Sequence, residues 1–135
     1  MYAGAGYAVV YCNPRGSSGY SEAWGRAIRG PVEGGPGWGT VDYEDVMAEM
    51  DEAIKRFDFV DVDRLGVMGG SYGGYMTSWI IGHNDRFRAA ISERAVNNLL
   101  SEGGSSDIAI WWKGYIGAHP WEAPEAYQKL SLIHI

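Results

Sequence analysis

The segment GGSYGGY at residues 69–75 constrains the fold of this chain more than any other feature. It places Ser71 between glycines, after a short apolar run at residues 64–68 and before a helix-like run at residues 72–81. Buried parallel strands are short and apolar, so the pattern predicts a strand, a sharp turn at Ser71 and a buried helix. This arrangement is the G-x-S-x-G nucleophile elbow, here residues 69–73.

The elbow predicts how the serine would act. A serine at such a turn adopts a strained backbone, and we expect crowding of strand and helix to require glycine at Gly69 and Gly73. The same geometry aims the first backbone N–H groups of the helix at the point where a tetrahedral oxyanion would form. Ser71 is therefore the candidate nucleophile, and the backbone N–H of Tyr72 is the candidate oxyanion donor.

Glycine-rich turns between a strand and a helix have two other uses, phosphate binding and close packing. The chain contains no G-x-x-x-x-G-K-[ST] motif, and residue 71 is serine where G-x-G-x-x-G has its third-position glycine. The nucleophile elbow is therefore the favoured interpretation. A packing turn and an anion site stay open as alternatives.

Composition restricts the class of protein. A chain of 135 residues is about one domain long. The net charge of −6, with no basic cluster longer than Lys55-Arg56, argues against a nucleic acid or an anionic membrane as partner. No apolar stretch approaches a membrane span and no secretory signal opens the chain, which predicts a cytoplasmic protein.

Neither a disulfide nor a metal site is indicated. The single cysteine, Cys12, cannot form an internal disulfide, and its apolar neighbours predict a buried strand thiol. No set of His, Cys and carboxylate residues has the spacing of metal ligands. We therefore expect no metal and no cofactor.

Strands and helices alternate along the chain, which predicts an α/β fold with a parallel sheet. The predicted elements are a strand at 8–12, a loop at 13–19, a helix at 21–28, an irregular stretch at 29–39, an amphipathic helix at 43–57 capped by Asp42, the elbow, and a strand at 87–92. Three parallel strands are too few for a stable open sheet. The chain is therefore predicted to be the central part of a larger domain.

Several segments together resemble one family. They are NPRGS at 13–17, DVDRLGV at 61–67 and GGSYGGYMT at 69–77, with SSDI at 105–108 and PWE at 120–122 as further likenesses. The chain resembles the catalytic domain of the prolyl oligopeptidase family of serine peptidases, and most of all its acylaminoacyl-peptidase and dipeptidyl-peptidase branch. The likeness extends over nearly the whole chain.

The resemblance implies an α/β-hydrolase fold with a mostly parallel sheet and helices on both faces. Residues 1–135 would be a partial catalytic domain, truncated at both ends, without the upstream propeller and the C-terminal part of the domain. Ser71 would attack short peptides and form an acyl-enzyme, with Tyr72 as one oxyanion donor. The second donor would come from a segment before the first strand of this chain.

The resemblance also implies that the triad is incomplete here. The order in α/β-hydrolases is serine, acid, histidine, and in this family both partners lie further downstream than the chain reaches. His83 is therefore interpreted as a capping or surface residue, His119 as part of a structural loop and His134 as a terminal residue. The ending SLIHI at 131–135 also departs from the family. The chain alone is expected to be inactive or nearly so.

Three aromatic residues follow the last predicted strand, in the region that lines the substrate pocket in the resembling family. Trp111, Trp112 and Tyr115 are candidates for an apolar pocket, and core packing is the equally weighted alternative. Arg15 is interpreted as a local brace, with a carboxylate anchor beneath the active site as the alternative. Rival functions are an esterase or thioesterase with the same elbow, and a non-catalytic hydrolase-like module.

Overall fold

Six α-helices and two β-strands occur within residues 1–134, the part of the chain that the computed structural model describes. They are α1 (Glu22–Arg26), α2 (Val41–Arg56), β1 (Gly66–Gly70), α3 (Tyr72–His83), β2 (Ala89–Glu93), α4 (Leu99–Ser105), α5 (Ala109–Ile116) and α6 (Pro124–Leu130). Ile135, the last residue of the unusual ending, lies outside the described residues.

The two strands form the predicted strand–helix–strand unit around Ser71. β1 and β2 are parallel, and Gly70 at the end of β1 is the register partner of Glu93 at the end of β2. Parallel neighbours need a crossover connection, which α3 supplies. Both strands therefore end at the same edge of the sheet, and Ser71 follows directly from that edge.

α3 lies between two apolar clusters. On one side Met76 and Ile80 pack with Met47 of α2. On the other side Tyr75, which is fully buried, belongs to the larger core that α4, α5 and α6 complete with residues such as Tyr127. Burial of large side chains on both sides fixes α3, and with it the turn at Ser71.

The amphipathic helix predicted at residues 43–57 is confirmed as α2. Its start differs in detail, because Thr40 is the N-cap and Asp42 lies inside the first turn. Asp42 nevertheless accepts hydrogen bonds from the backbone N–H groups of Gly39, Thr40 and Tyr43. The carboxylate therefore binds free N–H groups at the helix start, as a cap does, from a different position.

The strand predicted at residues 8–12 is absent from the structure. These residues form no strand, and the side chains of Val9 and Tyr11 are exposed. Cys12 is only half-buried, so the predicted buried strand thiol is wrong as well. A strand forms only when its N–H and C=O groups pair with a neighbour, and no segment of residues 1–134 pairs with this one.

The remaining predictions differ mainly at element ends. Ser21 caps α1 through a 3.1 Å hydrogen bond from the N–H of Trp24, and the helix ends at Arg26 rather than at residue 28. The stretch at 29–39 is irregular as predicted, apart from a short 3-10 turn at Pro31–Glu33. No helix within the described 134 residues is long and apolar enough to cross a membrane.

Candidate active site

Ser71 has the backbone geometry predicted for the elbow. Its φ of 60° and ψ of −118° lie in a region that side-chain-bearing residues rarely adopt. The turn is held by two backbone hydrogen bonds, one from the N–H of Ser71 to the carbonyl of Glu93 (3.0 Å) and one from the N–H of Tyr75 to the carbonyl of Ser71 (3.0 Å). The residue is exposed, and its hydroxyl is not hydrogen-bonded to any residue within 1–134. The hydroxyl is thus available to a base and a substrate.

The glycines of the elbow are not equally constrained. A Cβ at Gly69 would press on the backbone of Gly73, 2.5 Å from its carbonyl carbon and 2.7 Å from its Cα. At Gly73 itself a Cβ would have no atom outside its own helix within 4 Å, so the expectation that this position also excludes a side chain is wrong for the described residues. Of these two motif glycines, only Gly69 therefore has to lack a side chain.

Gly74 is a constraint that the motif did not predict. A Cβ there would lie 2.6 Å from the carbonyl oxygen of Glu93 and 2.8 Å from the Cβ of Ala95. The missing side chain lets α3 pack directly against the end of β2. The hydroxyl of Ser92 donates a 2.9 Å hydrogen bond to the carbonyl of Gly74 at the same contact.

Tyr72 presents its two polar groups in different directions. Its backbone N–H belongs to the first residue of α3, where helical N–H groups have no partner inside the helix. Its phenol donates a 2.6 Å hydrogen bond to Oδ2 of Asp42. Burial, reinforced by the negative charge of Asp42, raises the pKa of Tyr72 far above its ordinary value. The side chain therefore stays a neutral donor and ties the elbow to α2.

Asp42 is the polar centre of this region. Its side chain is completely buried, yet it accepts the Tyr72 hydroxyl as well as the three backbone N–H groups at the start of α2. A buried carboxylate needs such partners to offset its lost hydration. Sequence reasoning assigned Asp42 only a capping role, because its contact with Tyr72 spans 30 positions.

A cavity of about 240 Å³ lies against Tyr72. Its wall consists of the loop after residue 13, one isoleucine and three aromatic residues, namely Pro14, Arg15, Gly16, Ser17, Ile28, Trp38, Tyr72 and Tyr115. The indole Nε1 of Trp38 is buried and has no hydrogen-bond partner within residues 1–134. The walls of the cavity are thus largely apolar and aromatic, and the indole N–H of Trp38 is buried within the protein.

The three predicted pocket residues have different environments. Tyr115 lines the cavity and meets Trp38 edge-on, with ring centroids 5.9 Å apart. Trp112 is 3% exposed and belongs to the core. Trp111 is 64% exposed on α5. The structure therefore brings only Tyr115 of the three to the cavity beside the elbow.

Arg15 braces the loop that borders the cavity. Its guanidinium donates to both carboxylate oxygens of Asp45 at 2.8–3.1 Å and to the carbonyl of Val41 at 3.1 Å. Hydrogen bonds from Arg15 hold the pKa of Asp45 below its usual value. The brace interpretation of Arg15 agrees with these contacts, since the guanidinium fastens the loop to α2.

None of the histidines is hydrogen-bonded to Ser71 in the described part of the chain. Nδ1 of His83 lies 2.8 Å from the carbonyl of Trp79, and its ring stacks on that indole. His119 stacks on Trp121, with ring centroids 4.4 Å apart. Residues 1–134 also contain no group of His, Cys, Asp and Glu that could hold a metal ion.

Comparison with known proteins agrees with this geometry. The sequence model of the prolyl oligopeptidase family matches residues 1–134. An uncharacterized peptidase, YuxL, of Bacillus subtilis is 51% identical over 112 residues, which are 83% of this chain and 16% of the relative. Dipeptidyl-peptidase 5 of Porphyromonas gingivalis is 32% identical over 124 residues, which are 90% of this chain and 17% of the relative. The chain thus spans about a sixth of these relatives' length.

Solved structures give the same result. The acylaminoacyl peptidase of Pyrococcus horikoshii superposes with a TM-score of 0.79 at 36% identity, covering 90% of this chain and 19% of that one. An acylaminoacyl peptidase in complex with Z-Gly-Gly-Phe-chloromethyl ketone superposes with a TM-score of 0.77 at 34% identity, with the same coverage. The α/β-hydrolase fold implied by the sequence resemblance is confirmed.

Proposed function

The chain belongs to the prolyl oligopeptidase family of serine peptidases, and from this we propose that it carries the nucleophile of a peptidase that hydrolyses short peptides. The observation that carries the proposal is the backbone of Ser71, which is strained at the end of β1 and leaves its hydroxyl exposed. Strain of this kind is concentrated at functional sites. The peptidase relatives support peptides as the substrate class.

The proposed reaction begins with attack of Ser71 Oγ on the peptide carbonyl carbon. The carbonyl oxygen becomes an oxyanion, which the N–H of Tyr72 stabilises at the start of α3. Collapse of this intermediate expels the amine, which takes a proton from the catalytic base, and leaves an acyl-enzyme on Ser71. Water then adds to the acyl group and releases the acid and the free serine.

A base and an orienting acid are needed to remove the proton of Ser71. We propose that parts of the protein other than residues 1–134 supply them, together with the second oxyanion donor. Two observations support this: no described histidine hydrogen-bonds to Ser71, and the acid and histidine follow the serine in α/β-hydrolases. Residues 1–135 would then be part of a larger catalytic domain.

We propose that the cavity beside Tyr72 receives an apolar side chain of the substrate. Its aromatic walls at Trp38, Tyr72 and Tyr115 offer apolar contact area for such a side chain. Trp111 and Trp112 stay candidates from the sequence, at positions outside this lining. A cytoplasmic location, and the absence of nucleic acid and membrane partners, likewise stay predictions.

The test uses the full-length protein and two serine variants. A fluorophosphonate probe should label the wild type and the control S18A, which alters an exposed loop serine, but not S71A. The wild type and S18A, but not S71A, should also cleave aminoacyl amides. Cleavage of simple esters alone would indicate an esterase, and absence of Ser71-dependent labelling would indicate a non-catalytic module.

A further inference from the structure

Arg94 is the second residue with unusual backbone geometry at the sheet edge. With a φ of 39° it is, besides Ser71, the only non-glycine residue of positive φ in the described chain. Ser71 follows the end of β1 and Arg94 follows the end of β2, and the two strand ends are register partners. Ligands of parallel α/β sheets bind at the carboxyl ends of the strands. Two strained residues therefore stand side by side where a substrate would bind.

The guanidinium of Arg94 lies over the residue that precedes the nucleophile. A Cβ built on Gly70 would be 2.7 Å from its Nη2 and 2.9 Å from its Cζ. Gly70 is bonded to Ser71, and adjacent Cα atoms are about 3.8 Å apart. The absence of a side chain at residue 70 thus leaves the space that the guanidinium occupies next to the elbow.

Most of the donors of this guanidinium face solvent. The side chain of Arg94 is 73% exposed, and within residues 1–134 its one ion pair joins Nη1 to Oε2 of Glu93 at 3.1 Å. Glu93 is itself 58% exposed, and surface ion pairs of this kind contribute little to stability. Arg15, in contrast, is held by Asp45 and Val41. A substrate group can therefore displace Glu93 from Arg94 at little cost.

We propose that Arg94 binds a carboxylate of the peptide substrate next to Ser71 and makes the protein selective for peptides with an acidic group near the cleaved bond. The guanidinium presents paired N–H donors that match the two oxygens of a carboxylate. The proposal rests on the proposed peptidase function and adds its substrate preference. The carboxylate comes either from an Asp or Glu side chain or from the C-terminus of a short peptide.

The test measures kcat/KM of the full-length protein for matched peptides. One pair differs by Glu against Gln beside the cleaved bond, and the other by a free C-terminal acid against its amide. R94Q should lower kcat/KM for the carboxylate-bearing member of the recognised pair by roughly tenfold to a hundredfold, the range for a charge-assisted hydrogen bond. The uncharged members should change by less than about threefold, and R94K should show an intermediate loss, since lysine keeps the charge but not the planar fork.

Two further variants separate a local effect from a general one. Arg88 precedes β2 at the opposite edge of the sheet. R88Q therefore removes the same charge, and the ratio of kcat/KM between the two members of each peptide pair should stay unchanged. G70A keeps Arg94 but places a methyl group where its guanidinium lies, and φ at Gly70 is not positive, so alanine fits the backbone. G70A should therefore lower the same ratio as R94Q.

The outcomes distinguish the two proposals. Equal acidic-to-neutral ratios in wild type and R94Q, with Ser71 still labelled by fluorophosphonate, would overturn the role of Arg94 and leave the peptidase function standing. The same loss in R88Q as in R94Q would also overturn it, because the effect would then be one of net charge. Absence of Ser71-dependent hydrolysis would overturn both proposals.

Discussion

Replacing Gly69 by alanine tests whether the close approach at the elbow is as tight as its geometry indicates. The new Cβ would lie 2.5 Å from the carbonyl carbon of Gly73, whereas carbon atoms in contact are normally about 3.5–4.0 Å apart. The position of the Cβ is fixed by the backbone of residue 69 and its neighbour is backbone of Gly73, so no side-chain rotation relieves this overlap of about 1 Å. Overpacking costs about 1–3 kcal/mol and occasionally more, and we expect the upper end, about 3 kcal/mol.

The matched control is Gly73→Ala, in which the added methyl group meets no atom of the described residues outside α3. Gly73 lies in the first turn of α3, where alanine is favoured over glycine by up to about 1 kcal/mol. The two alanine variants should therefore differ by about 3–4 kcal/mol in the free energy of unfolding. Denaturant unfolding of the full-length protein, followed by tryptophan fluorescence, measures this difference.

Activity should follow the same order as stability. Relief of the overlap in G69A must move Gly73, and with it the hydroxyl of Ser71 and the N–H of Tyr72, so fluorophosphonate labelling should slow by at least about tenfold. G73A should be as stable as the wild type or up to about 1 kcal/mol more stable. Equal stability of G69A and wild type, or equal losses in both variants, would refute the steric argument.

Three further outcomes are expected. Asp42→Ala should lower the free energy of unfolding by at least about 3 kcal/mol, because the Tyr72 hydroxyl and three backbone N–H groups lose their acceptor. Asp42→Asn should lower it by less, and denaturant titration measures both effects. Arg15 lowers the pKa of Asp45 in the folded protein. The stability that this ion pair contributes is therefore complete above about 3.9, the pKa of Asp in the unfolded chain, and it is lost as the pH falls through the lower pKa of the folded state. The stability difference between wild type and D45N should therefore shrink below about pH 4, and a constant difference would contradict the ion pair. Residues 1–135 expressed alone should show no Ser71-dependent peptide turnover, and measurable turnover would contradict the need for an outside base.

Local features of the site could be predicted from the sequence because their physical causes are local. The turn at Ser71 follows from the glycines around it and from the apolar runs on either side. The amphipathic helix α2 follows from its own periodicity. Each needs only residues within a few turns of chain, and both are present in the structure.

Features that depend on distant partners were missed or predicted wrongly. The strand at residues 8–12 had the right residue types, but pairing depends on a neighbouring strand that its own sequence cannot specify. The need for glycine at Gly74 arises from the approach of β2, and the position of Arg94 arises from the register between β1 and β2. The G-x-S-x-G spacing encodes neither the approach of β2 to Gly74 nor the position of Arg94.

The contact at Gly74 has a mechanical consequence. Because α3 touches the backbone at Glu93 without an intervening side chain, and Ser71 is hydrogen-bonded to the same carbonyl, the helix and β2 cannot slide past each other by a fraction of an ångström without a clash. Ser71 and Arg94 are therefore parts of one rigid body. Any motion that opens a path to Ser71 must occur in segments around this body, while the spacing between the backbones at Ser71 and Arg94 stays fixed.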